Sequence, residues 1–167
     1  MISAYTIGLA RASDADAIAE MSREAIEHGL GWKWTPDRVR RCLGDEATNV
    51  VVARSVLVTG NPMIGFAIMS YRDDEAHLLL FAVGASQRRR GIGTALLSWL
   101  EATALTAGVG VVSLEARATN REARAFYRHH GYREVARVRR MYRQIEDGLR
   151  IAKDLWAAAP DASRTST

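Results

Sequence analysis

The sequence predicts an α/β sandwich built on a mixed sheet, and three observations carry that prediction. β-Branched and apolar runs crowd the centre of the chain, at Val50 to Val58 and Met63 to Tyr71. Two further apolar runs, His77 to Val83 and Val111 to Arg117, are each followed by a segment of helical period. A glycine-rich turn, Arg88-Arg89-Arg90-Gly91-Ile92-Gly93, stands between the first of these runs and its helix. Strands first and then a strand-turn-helix-strand-helix-strand order place helices against a sheet of mixed direction. With 167 residues, 48% of them hydrophobic, the chain fits one compact domain with a proper core.

Each element has its own signal. Tyr5 to Arg11 reads as a first strand, and Ser13 is placed to cap a helix whose apolar positions are Ala17, Ile18, Met21, Ala25 and Ile26. Gly29 to Gly31 ends it. Thr35-Pro36 opens a short second helix, proline taking the first position where its missing N–H costs nothing. Val39, Cys42 and Leu43 form its apolar side. Thr59-Gly60-Asn61-Pro62 is a hairpin turn between the two central strands, and Asp73-Asp74-Glu75 turns into the third. Ile92, Ala95, Leu96, Trp99, Leu100 and Thr103 line one face of the helix after the glycine turn, which stops near Gly108-Val109-Gly110. Asn120 to His129 is the next helix and Tyr132 to Tyr142 the next strand; Leu149, Ile151 and Leu155 suggest a last strand, with a helix as the alternative. Residues 1–157 form the domain, and 158–167, rich in Ala, Ser and Thr, read as a disordered tail.

The glycine turn is chemically specific. A strand-to-helix turn offers bare backbone N–H groups at the positive end of the helix dipole, and arginines beside it complete a diphosphate cradle that needs no metal. A side chain at Gly91 or Gly93 would hold a pyrophosphate off the backbone. The spacing R-x-x-G-x-G is neither the Walker pattern nor the dinucleotide pattern G-x-G-x-x-G.

About thirty residues on stands Asn120-Arg121-Glu122-Ala123-Arg124-Ala125-Phe126-Tyr127-Arg128-His129-His130-Gly131-Tyr132, the pattern N-x-x-A-x-x-F-Y-x-x-x-G-Y. Together with the R-x-x-G-x-G-x-A-L-L stretch upstream, it resembles the acetyl-CoA site of the GNAT N-acetyltransferases, over roughly residues 5 to 156. The resemblance implies a GNAT-type, mostly antiparallel central sheet flanked by helices, with acetyl-CoA as cosubstrate. It implies cofactor contacts from Arg88, Arg89, Arg90, Gly91, Ile92, Gly93 and Thr94 to the pyrophosphate, and from Asn120 and Tyr127 to the pantetheine arm and thiol. The strand holding Phe81, Ala82 and Val83 would splay from its neighbour, and a backbone N–H near Ala82 or Val83 would meet the thioester oxygen.

Amine acetylation needs a neutral nitrogen. Near pH 7 an α-amine costs about 1 kcal/mol to deprotonate and a lysine about 4.6, so an N-terminal amine demands less of a base. Leu114-Glu115-Ala116-Arg117-Ala118-Thr119-Asn120 resembles the branch of the family that acetylates ribosomal-protein N-termini, which assigns the base role to Glu115; the alternative is a structural carboxylate paired with Arg117 or a neighbouring arginine. His77 is the rival: in the histone-type branch the basic Glu falls at its place, and imidazole titrates near neutrality. Tyr127 is the candidate to assist the leaving sulfur, by hydrogen bonding rather than full transfer, since its intrinsic pKa exceeds that of a thiol. Asn120 also reads as a helix cap. No nucleophile stands in either motif, which argues for direct attack by the amine.

For the acceptor, a protein N-terminus and a small amine both remain open. Trp32 and Trp34 sit where family members carry a variable substrate loop; with Glu27 they would line a pocket for a small polar amine, or else serve as core anchors. An extended peptide would need a groove between the early helices and the last hairpin. The segment from Arg140 to Leu149 resembles the Tyr-Tyr and Glu-Asp-Ala endings of the ribosomal-protein branch, with Arg143 for the second Tyr and Gly148 for the Ala. Other readings are a coenzyme A-binding regulatory module without turnover, and an aminoacyl-tRNA acetyltransferase.

Composition narrows the partners. No apolar run is long enough to span a membrane and no signal-peptide pattern opens the chain, which predicts a cytoplasmic protein. The single Cys42 agrees with a reducing compartment. The net charge of +4 is spread among acids rather than blocked, so nucleic acid is not the expected partner, and a polyanionic cofactor accounts for Arg88 to Arg90. No metal is expected. A homodimer stays open.

Overall fold

The computed structural model describes residues 3–142 and 145–157. Seven strands form one sheet: β1 (Tyr5–Leu9), β2 (Thr48–Ser55), β3 (Met63–Arg72), β4 (Glu75–Val83), β5 (Val111–Arg117), β6 (Arg133–Tyr142) and β7 (Glu146–Asp154), in the order β1-β2-β3-β4-β5-β7-β6. Every neighbouring pair is antiparallel except β4 and β5. That one parallel pair is joined by the crossover helix α3 (Ile92–Thr106), as parallel neighbours require. The last strand is a strand, and Tyr142 closes β6 as expected. The proposed tail, 158–167, lies outside the described residues, as does Arg143.

Helices cover both faces. α1 (Ala15–Ala25) and α2 (Pro36–Leu43) bury Ile18, Ala19, Trp34 and Val39 against Val50, Val52, Phe66 and Ile68. On the other face α3 sinks Leu96, Leu97 and Leu100 onto Val51, Ala67 and Met69, joined by Tyr127 of α4 (Arg121–His129). Each fully buried leucine contributes about 1.5–3 kcal/mol. The continuous run Val50 to Ala53 is thereby explained: β2 is buried on both sides, so it need not alternate.

Two local expectations are corrected at α1. Ser13 does not cap it; a 3₁₀ turn, Ala12–Asp14, precedes the helix, and the Asp14 carboxylate takes the Arg11 N–H at 2.7 Å. Asp14 also accepts from Arg54. That anchor sets the buried stripe at Ala15, Ile18, Ala19 and Ser22, leaving Ala17 exposed. Thr35-Pro36 opens α2 as expected, and the Thr35 hydroxyl caps it by accepting from the Arg38 N–H, with Pro36 at the first turn.

Candidate active site

The site begins with a fault in the sheet. β4 pairs with β5 only from Glu75–Val111 to Leu78–Leu114, although β4 stays paired with β3 as far as Val83 and β5 with β7 as far as Arg117. Each strand keeps its outer partner while the inner edges part, which exposes main-chain groups on both. Opposite the parting, β4 carries a bulge: Ile68 faces Leu80 and Met69 faces Leu78, so Leu79 is the extra residue. A bulge exchanges the faces of a strand. Ala76 and Leu78 accordingly pack on the α3 side, whereas Leu80 and Ala82 pack on the α1 side. Phe81 and Val83 are thereby turned toward α3 and α4.

The opening between the strands is a cleft of about 660 Å³ that runs from the glycine turn past Tyr127 to the loop after α1. Of the residues expected at the cofactor, Phe81, Ala82, Val83, Arg88, Arg89, Gly91, Ile92, Gly93, Thr94, Asn120 and Tyr127 line it. Arg90 is exposed and stands outside the lining. Gly91 has φ +80°, a conformation that glycine adopts freely, and a Cβ there would meet nothing within 4 Å. No side chain caps the N-terminus of α3, so its first amides face the cleft end unclaimed by a capping group. Gly93, in the lining, is also packed from behind. A Cβ there would come to 3.3 Å from the Phe126 ring, so this glycine lets α3 approach the aromatic cluster.

That cluster holds Tyr127. Its ring lies 6.2 Å from Phe81, 5.2 Å from Phe126 and 5.5 Å from Tyr132, centroid to centroid. Burial pushes its phenol well above the ordinary tyrosine range. Among the described residues its hydroxyl has no hydrogen-bond partner. Asn120 caps α4, its side chain accepting from the Ala123 N–H at 3.1 Å.

Across the sheet the two candidate bases meet. His77 Nε2 is 3.1 Å from Glu115 Oε2, and His77 Nδ1 is 2.9 Å from Ser113 Oγ. The parallel register pairs His77 with Ser113, and strand alternation puts Glu115 next on the same face. Ser113 donates onward to Glu75. Glu115 lines the cleft, whereas His77 stands behind it. Of the arginines that could pair with Glu115, it is not Arg117 but a neighbour, Arg150, opposite it on β7, that approaches Glu115 Oε1 at 3.6 Å.

Arg117 points to the cleft mouth instead. Its guanidinium donates to the carbonyls of Ile26 and His28 at 3.0 and 2.9 Å, lies 3.5 Å from Glu146, and covers the Tyr142 ring at 5.7 Å. One arginine thus pins both walls, the loop after α1 and the β6–β7 hairpin. The sequence placed Arg117 in a motif but gave it no part at the mouth.

The tryptophans are elsewhere. Trp34 is 8% exposed within the α1 and α2 core, its ring covered by Arg38 at 3.9 Å. Trp32 donates to the Ala19 carbonyl at 3.3 Å and stacks with Arg23. Neither lines the cleft. Glu27 is spent on the backbone: its carboxylate accepts from Ser22 Oγ at 3.0 Å and from the N–H groups of Lys33 and Trp34 at 2.7 and 3.1 Å. That folds the loop inward and turns both tryptophans away from the cleft.

The acetyltransferase (GNAT) family model matches residues 15–132. The chain belongs to the GNAT family. Its splayed parallel pair, glycine turn and α4 tyrosine sit within or beside that match. The chain is 39% identical over 92 residues to the ribosomal protein bS18 alanine N-acetyltransferase of Escherichia coli K12. That match covers 55% of this chain, and in sequence the chain spans only 62% of that relative's length. It is 30% identical over 141 residues to an uncharacterized N-acetyltransferase of Methanocaldococcus jannaschii, covering 84% of this chain and 85% of that one. The crystal structure of the ribosomal-protein-S18-alanine N-acetyltransferase from Escherichia coli superposes with a TM-score of 0.77 at 25% identity, over 98% of this chain and 99% of that one. Among the described residues no helix is long and apolar enough to cross a membrane.

Proposed function

We propose that this protein is an acetyl-CoA-dependent N-acetyltransferase whose acceptor is the α-amine of a protein or peptide N-terminus. The observation that carries the reading is one cleft with the glycine turn at one end, Glu115 and Tyr127 on its walls, and a mouth framed by two chain segments. The residues present fit the cofactor: the open space at Gly91 would be filled by a Cβ, and the parted edges of β4 and β5 leave amide groups for an amide-bearing arm. Gly91, Ile92 and Gly93 with Arg88 and Arg89 would hold the pyrophosphate, and Phe81 to Val83 with Asn120 the arm. When bound, acetyl-CoA supplies the activated acyl group.

The chain's own residues divide the remaining work. Glu115 takes the proton that the acceptor's ammonium must lose before its nitrogen can attack. The N–H group of Val83, which the register turns away from β3 and toward the parted edge, offers a hydrogen bond to a carbonyl that gains negative charge. Tyr127, kept protonated by its burial, donates a hydrogen bond to sulfur as charge develops there. Complete proton transfer from so raised a phenol is uphill.

The acceptor assignment rests on what lines the mouth. A small cationic amine would call for an acidic or aromatic pocket, and Glu27, Trp32 and Trp34 are all engaged elsewhere. The mouth is an open slot between Ile26, His28 and Leu30 on one side and Tyr142 on the other, which suits an extended chain. Relatives named for alanine N-acetylation of a ribosomal protein favour the same reading. The test is thiol release from acetyl-CoA with short free N-terminal peptides, polyamines, amino acids and aminoglycosides as separate acceptors. Peptide-selective release is expected. Release with polyamines alone would replace the acceptor, and none with any acceptor despite bound acetyl-CoA would favour a non-catalytic module.

A further inference from the structure

Three polar contacts run in series along one face of β4 and β5: Glu75 Oε1 with Ser113 Oγ, Ser113 Oγ with His77 Nδ1, and His77 Nε2 with Glu115 Oε2. Each needs one proton. The Ser113 hydroxyl supplies one, a neutral imidazole supplies one, and ionised carboxylates supply none. Two protons cannot serve three contacts. With Ser113 donating to Glu75, the imidazole must carry its hydrogen on Nδ1, which turns the bare Nε2 lone pair toward the equally bare Glu115 Oε2. With His77 neutral and both carboxylates ionised, the row is one proton short, and the gap lies at the Glu115 end, the end that lines the cleft.

We propose that Glu75, Ser113, His77 and Glu115 form a single proton-accepting unit, in which Glu75 and Ser113 are positioning residues that fix the His77 tautomer. The inference rests on the acetyltransferase reading for its use, though not for its detection. As the acceptor's N–H bond breaks, its electron pair stays on nitrogen and the proton enters the gap, to be shared by Oε2 and Nε2. The row is then complete, three protons for three contacts. Ser113 is 3% exposed and His77 half-buried, while Glu75 is exposed at the far end and lets the proton leave to solvent after turnover. The other charged or titratable groups facing the pair are Arg150 on β7, at 3.6 Å from Glu115 Oε1, and Tyr142 on β6. Burial, and after it the Glu115 charge, push the Tyr142 phenol up to about 12, so it stays protonated throughout. The loop after α1 adds His28, whose carbonyl Arg117 holds.

Glu75 is not among the residues that line the cleft, which makes it the decisive position. In Glu75→Gln the amide donates to Ser113, the hydroxyl turns to donate to Nδ1, and Nε2–H donates to Glu115. In Glu75→Ala the hydroxyl turns the same way with no partner behind it. Either variant fills the gap without an extra proton. The chain has four histidines, and their ring nitrogens are resolved by long-range 15N–1H NMR, with His77→Gln giving the assignment. Above the rising limb of the pH profile, wild type is expected to show His77 as the Nδ1–H form and both variants as the Nε2–H form. The rising limb of kcat/KM should move down by about one pH unit and its plateau fall about tenfold, as for a weaker base. Ser113→Thr, which keeps the hydroxyl, should retain the wild-type tautomer and limb. An Nε2–H form already present in wild type, or variants with an unchanged tautomer and limb, would overturn the proposal while leaving the acetyltransferase intact. If wild type turned over no acceptor, that reading alone would fall and the tautomers would still decide this one.

Discussion

Replacing Tyr127 with phenylalanine should separate turnover from stability, because the hydroxyl and the ring do different things. The ring packs against Phe81, Phe126 and Tyr132 at centroid distances of 5.2 to 6.2 Å, and phenylalanine keeps all three contacts. The hydroxyl has no partner among the described residues, although the residue is only 6% exposed. Deleting a hydroxyl that lines the cleft and has no protein partner there costs little. In the reaction the same hydroxyl faces a sulfur gaining charge, and a hydrogen bond to a charged group contributes about 1.5–3 kcal/mol. Loss of that bond corresponds to about 10- to 150-fold in rate. Single-turnover thiol release, with saturating acetyl-CoA and acceptor, reads the chemical step; thermal unfolding reads stability; calorimetry reads acetyl-CoA affinity. The expected result is a rate lowered within that range, a nearly unchanged Tm and near-normal affinity. An unchanged single-turnover rate would refute the role of Tyr127. A rate lowered only in step with a large loss of Tm would show that the ring, not the hydroxyl, had been disturbed.

Other perturbations address the remaining parts. Gly91→Asp adds a side chain and a negative charge at a position with φ +80°, and calorimetry should find acetyl-CoA binding lost; normal binding would remove the cradle assignment. Gly93→Ala presses a methyl group toward Phe126 at 3.3 Å and should lower stability by about 1–3 kcal/mol in urea unfolding, with less effect on acetyl-CoA affinity than Gly91→Asp. Arg117→Ala releases the carbonyls of Ile26 and His28, so kcat/KM for a peptide should fall at least about tenfold with acetyl-CoA affinity kept, as steady-state kinetics would show. Asp14 concerns acid stability: burial pushes its carboxyl up, but hydrogen bonds from Arg54 and the Arg11 N–H outweigh it, so the folded value lies below the ordinary one. Its contribution is therefore full above about pH 4 and lost as pH falls through the folded value. Asp14→Ala should cost about 3–5 kcal/mol at neutral pH by leaving Arg54 unpaired, and should flatten the loss of stability in acid.

The succession of strands and helices, the glycine turn and α4 were legible because each has a local signal: apolar runs, an R-x-x-G-x-G spacing, an Asn cap. What pairs across strands was not. His77 and Glu115 are 38 positions apart and read as rivals, yet a parallel register of His77 on Ser113 makes them partners. Ser113 looked like any strand serine, and Arg150 faces Glu115 only because β7 inserts between β5 and β6. The Leu79 bulge was hidden in a uniform run of leucines, Leu78 to Leu80, which carries no alternation to break. Trp32 and Trp34 misled for a different reason. Their loop is folded by the Glu27 carboxylate gathering backbone N–H groups, a contact of six and seven residues' separation that leaves no periodic trace.

The central claim is that the cleft transfers an acetyl group to a peptide's α-amine. It is tested most directly by incubating the protein with acetyl-CoA and a pair of peptides identical except that one has its N-terminus blocked, each carrying an internal lysine, and locating the acetyl group by tandem mass spectrometry. The account expects acetylation at the α-amine of the free peptide and none on the blocked one. Equal modification of both peptides at lysine, or of neither while acetyl-CoA is bound, would contradict it.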